Sequence, residues 1–159
     1  MSLSTAMLAE LKSRAGQSNQ SFTVVDGKRT VRCSFDSCEA LAVTLAGLAL
    51  ETAELSLATV PQLEAASRKL SARVNYLLEP VAPIETDSQG CSVQMRSSPP
   101  QKDDNGRRYY ELHLRRGGSI SLCRFEKQPG QPRLRVPAVL THEVIGRLVD
   151  DFVATVDSI

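Results

Sequence analysis

Tryptophan is absent from this 159-residue chain, and tyrosine and phenylalanine together supply only 4% of it. A core without large rings must be filled mainly by leucine, valine and alanine, which argues against a wide aromatic-lined pocket and for helix packing. Histidine occurs twice, as His113 and His142, so a nucleophile that needs an imidazole base beside it has few places to stand. No apolar run approaches the roughly 20 residues that a bilayer span demands. The longest, Ala40–Leu50, is eleven residues interrupted by Thr44 and Gly47, and it reads as a buried helix. Met1–Lys12 alternates polar and apolar residues and lacks the continuous apolar stretch of a secretory leader. The four cysteines are therefore expected as reduced thiols in a cytoplasmic protein, with no membrane partner.

Apolar residues make up 42% and charged residues 23%, the balance of an ordinary folded chain. The length suits a single α+β domain spanning 1–159. The formal charge of +1 is unevenly spread: residues 31–90 carry −4 and residues 91–136 carry +6. That asymmetry concerns partners and association rather than fold.

Met7, Leu8 and Leu11 have helical spacing within a first helix, Ser4–Arg14. Asp26-Gly27 then marks a hairpin between Phe22–Val25 and Thr30–Phe35, with Phe22 opposite Val31. Asp36 and Glu39 resemble a capping box, and the segment from there to Leu55 is expected as a helix striped by Leu41, Leu45, Leu48 and Leu55. Its second stripe, Ala42, Ala46, Ala49 and Ala53, makes it apolar on nearly every side, so it should be central or form a dimer interface. Thr59, Pro61 and Gln62 open another helix that should end before Pro80 and pack antiparallel to the one ending near Leu55.

Beyond Val81 the apolar period falls to two. Val81–Thr86, with Pro83 confining it to an edge or bulge, is followed by alternation at Cys91, Val93 and Met95. Ser97–Gly106 is a polar loop, the stretch where disorder is expected. Arg107–Arg116 and Ser119–Lys127 flank Gly117-Gly118, read as a two-residue turn that sets Tyr110 opposite Phe125 and Glu111 opposite Arg124. Leu134–Val136 is a last short strand, and Thr141 caps a terminal helix. The expected architecture is thus an antiparallel meander of four to five strands over about 81–136, helices on one face, and an N-terminal β-hairpin.

No short motif carries chemistry. Cys33 and Cys38 form one close pair, whereas zinc sites usually need two, so neither a metal nor another cofactor is expected. His142-Glu143 resembles the start of a metalloprotease helix, but position 146, where the second histidine belongs, is glycine. Neither a nucleophile elbow nor a phosphate-cradling loop is present, no catalytic residues are assigned, and an enzyme is disfavoured.

The basic stretch is different. Arg107, Arg108, Arg115, Arg116, Arg124, Lys127, Arg133 and Arg135 cluster in the last strands, partly offset by Glu111 and Glu126. A binding face of Arg96, Arg107, Tyr109, Arg115, Arg124, Arg133 and Arg135 follows if Arg96, Arg115 and Arg124 share the solvent side of one sheet. The reading this favours is a non-enzymatic interaction module, homodimeric or bound to another protein. The alternative is polyanion or single-stranded nucleic-acid binding through that face, with Tyr109 exposed for stacking.

Overall fold

The computed structural model describes residues 2–98, 101–103 and 106–159. Three α-helices and ten strands occur among the described residues, in the order α1 (Leu3–Ser13), β1 (Ser18–Asp26), β2 (Arg29–Cys38), β3 (Ala42–Thr52), α2 (Val60–Arg73), β4 (Val81–Asp87), β5 (Ser92–Ser97), β6 (Gln101–Asp103), β7 (Gly106–Arg115), β8 (Ser119–Lys127), β9 (Leu134–Val136), β10 (Ala138–Thr141) and α3 (His142–Asp157). The class is α+β with helices against one face, but the sheet is larger than the expected four to five strands. The N-terminal hairpin belongs to that same open sheet, whose main order is β1-β2-β3-β8-β7-β5-β4.

The expected helix from Asp36 to Leu55 is the main correction: this segment is the end of β2 and the central strand β3. Its leucines mislead because the ladder is irregular. Between Ser34 and Phe35 the register against β3 jumps past Ala46, so Leu45 and Leu48 fall on one face although they are three residues apart. A bulge thereby imitates helical spacing. Leu41, assigned to the helical stripe, is 80% exposed in the turn. The case for a dimer built on an over-apolar helix loses its footing, as does the expected antiparallel helix pair.

Two rows of apolar side chains cross six strands and form the helix-facing side of the sheet. One runs Met95, Leu112, Leu122, Leu48, Cys33, Phe22, and the other Val93, Leu114, Ile120, Leu50, Val31, Val24. Every member is buried. Each fully buried leucine in such a row contributes about 1.5–3 kcal/mol. The β1–β2 turn is Gly27-Lys28, closed by Asp26 opposite Arg29, one residue beyond the expected turn. Phe22 therefore faces Cys33 rather than Val31, a shift of two that leaves its side unchanged.

The helices cover these rows. Thr59 and Gln62 form a complete capping box on α2, which ends at Arg73, earlier than expected. Residues after it are held instead by α3, where the Tyr76 hydroxyl donates to Asp151 Oδ2 at 2.5 Å under the Arg147 guanidinium. Thr141 caps α3 as expected, and Leu148, Phe152 and Val156 point inward. β3 and β8 pair only in part: β9 continues along β8, β10 along β3, and Pro137 sits at the tip of the wedge between them. The polar segment Ser97–Gly106 contains β6, paired with β7. The disorder expected there falls partly on 99–100 and 104–105, outside the described residues.

Candidate functional site

The outer face of the sheet is set by the β7–β8 register, and that register is not the expected one. The loop is the three residues Arg116-Gly117-Gly118, closed by Arg115 opposite Ser119, with Gly118 at φ +106°. A β-carbon there would lie 3.0 Å from the Thr52 carbonyl oxygen, so glycine suits both the dihedral and the approach. Tyr109 consequently faces Phe125, and Tyr110 faces Arg124. This one-residue slip exchanges the two sides of β8.

Arg124 is therefore corrected from the solvent face to the helical side, where it is 8% exposed. Its guanidinium meets buried Glu79 at 3.1 Å and stacks over the Tyr110 ring at 4.3 Å. The Ser97 hydroxyl donates to the other Glu79 oxygen at 2.9 Å and accepts from the Tyr110 amide at 2.8 Å. A guanidinium tolerates burial only with such a partner. Tyr109, expected to be exposed, is 7% exposed beneath the Arg96 guanidinium, 4.6 Å from its ring centroid.

Of the expected binding residues, the structure gathers Arg96, Arg107, Tyr109 and Arg133 around one cleft of about 490 Å³, together with Lys127, Ser97, Ser98 and Ile84. Arg115 lies at the other end of β7, opposite Ser92 and Ser119. Arg135 lies in a separate trough with Arg32, floored by Ser34, Gly47, Ala49 and Ser121. Sequence reasoning counted Lys127 in the basic stretch but left it off the site, and it missed Ser97, Ser98 and Ile84. The alternation around β5 could have signalled Ser98; Ile84 arrives only through the pairing of β4 with β5.

Beside the cleft, Glu111 is 1% exposed and organises the cations. Arg133 Nη1 donates to its two oxygens at 2.9 and 3.0 Å, the Gln94 side-chain amide also donates to it, and Arg96 Nη2 lies 3.8 Å away. Arg133 stacks over Phe125 at 4.0 Å, and Phe125 lies beside Tyr109 with ring centroids 6.1 Å apart. Hydrogen bonds with Tyr109 and then Glu111 hold the Arg133 guanidinium above its ordinary range. The His113 ring is 3.6 Å from Glu111. Burial, then the Arg115 charge, push its pKa down, with Glu111 pulling the other way. The arrangement presents rigid, permanently charged donors to an anion.

A second juxtaposition was not legible in the sequence: Cys38 Sγ lies 3.8 Å from His142 Nε2. The thiol is fully buried, donates to the Leu11 carbonyl at 3.3 Å, and has its pKa raised first by burial. His142 Nε2 also lies 3.2 Å from the Ala42 carbonyl. These contacts tie α1, β3 and the start of α3 together, an arrangement opposite to that of an activated nucleophile. Among the described residues, no three His, Cys, Asp or Glu side chains converge as a metal site would require, and no helix is long and apolar enough to cross a membrane. Comparison with family models, curated proteins and solved structures yields no significant match to this chain.

Proposed function

We propose that this chain is a binding module that takes an acidic protein partner on the outer face of its sheet, with the basic cleft as anchor. The supporting observation is the convergence of Arg96, Arg107, Lys127 and Arg133 on one cleft, on the side of the sheet away from the helices. Outward positions along one cross-strand row are Gln94, His113, Ser121, Ala49 and Arg32, a polar and small-residue surface that an extended segment can approach closely. Complementary charge on such a surface speeds encounter and sets orientation. The nucleic-acid alternative loses its stacking platform: Tyr109 and Phe125 present their faces to Arg96 and Arg133 rather than to a base.

Heteronuclear NMR titration with a short polyglutamate peptide at low ionic strength tests the reading. Saturable shifts should appear in β5, β7 and β8 around the cleft and fade with added salt. An absence of saturable shifts, or shifts centred on α1 and α3, sinks it. A single-stranded oligonucleotide that shifts the same residues at physiological salt, where the peptide does not, would favour the alternative.

A further inference from the structure

Resting on that reading, we infer that the cleft selects a doubly charged oxyanion, a phosphate monoester carried on an organic body, over a single carboxylate. Three guanidinium groups and one ammonium border it, and the carboxylate held against them, Glu111, is shared by Arg96 and Arg133. A lone carboxylate leaves much of that positive charge unanswered, whereas a phosphate monoester carries about −1.5 to −2 near neutral pH and three acceptor oxygens.

The donors are also placed rather than merely near. Arg96 is laid on Tyr109 and Arg133 on Phe125, so stacking holds two guanidinium planes before any ligand arrives. Arg133 uses Nη1 on Glu111 and a further donor on Tyr109, and of its five N–H donors at least two remain for a second acceptor. The Lys127 ammonium touches the Gln128 and Gln131 carbonyls, which leaves one of its three protons. The lining also holds an apolar part: Ile84 is 49% exposed on edge strand β4, and the Tyr109 ring, under Arg96, borders the same space. An apolar part beside cationic groups suits an organic phosphate better than the free ion.

Isothermal titration of the full chain at pH 7.5 compares phenyl phosphate, benzoate and inorganic phosphate. A peptide pair differing only by phosphoserine against glutamate distinguishes a protein-borne phosphate from a small phosphorylated molecule. Phenyl phosphate should bind about tenfold or more tightly than benzoate, and the phosphopeptide should exceed its glutamate twin by a similar factor. Arg107→Met and Lys127→Met should each weaken phenyl phosphate binding about tenfold, while Lys12→Met on α1 leaves it unchanged. Lowering the pH to 5.5, below the second phosphate pKa near 6, should bring phenyl phosphate toward benzoate. Circular dichroism of both variants checks that the fold is intact. Equal binding of phenyl phosphate and benzoate, equal loss in Lys12→Met, or no saturation by any phosphate overturns the inference. Equal affinity for the two peptides overturns it while leaving the acidic-partner reading standing. Phenyl phosphate binding without any peptide binding supports the phosphate site and removes the protein partner.

Discussion

Arg124 and Glu79 each occupy a position that neither could hold alone. Both side chains are almost wholly withdrawn from water, 3.1 Å apart. Arg124→Met leaves a buried carboxylate unpaired and should lower unfolding free energy by about 3–5 kcal/mol in urea denaturation; Glu79→Leu should act similarly. The double variant should recover most of that loss, because no uncompensated charge remains. Additive losses in the double variant would contradict this account. His113 makes the pH-dependent counterpart. Its folded pKa lies below the ordinary histidine value, chiefly through burial, so the unfolded chain binds the proton first as pH falls. Stability should therefore be unaffected well above about 6.5 and decline between that value and the lower folded pKa. His113→Gln should flatten that decline in denaturation curves taken between pH 5 and 7.5. A decline that survives unchanged would place its origin elsewhere.

At the scale of elements, β3 is where local pattern and tertiary structure part. Leu41→Lys should change stability by less than about 0.5 kcal/mol, since the side chain stands in solvent. Leu48→Ala, on the row that crosses six strands, should cost about 2–5 kcal/mol. Thermal and urea unfolding of the two variants distinguishes a strand with a bulge from the helix, which needs both leucines inside. Other elements were legible because their signals are local. Thr59 and Gln62 close a capping box within one turn, and Cys91, Val93 and Met95 alternate without interruption. The β7–β8 register was not legible, because Gly117-Gly118 serves a two-residue turn as readily as the end of a three-residue one. Pairing of Leu112 with Leu122 and Leu114 with Ile120 decides between them.

Across the whole molecule, β3 and β8 lie at the centre while β1 and β4 form the two ends of the main sheet. β3 has β2 along one edge and β8 with β10 along the other, so its amides open only when several pairings are lost. Native-state hydrogen exchange should be slowest in β3 and β8 and faster in β4, whose side chains after Val81 are all exposed. Comparable protection in β4 and β3 would count against this sheet order. The same topology assembles the basic cleft. β4 brings Ile84, β5 brings Arg96, β7 brings Arg107 and Tyr109, β8 brings Lys127, and the segment leading into β9 brings Arg133. By itself, the sequence determined the α+β class, the caps of α2 and α3, the two-faced alternation after Val81 and the basic character of the last strands. Each of these follows from neighbours within a few residues. Only the tertiary structure decided that Ala42–Thr52 is a strand, that Arg124 turns inward, and that four cations meet at one cleft. The reason is physical: a strand's ladder partners, its register and a buried charge's counter-ion come from distant parts of the chain, and no local period records them.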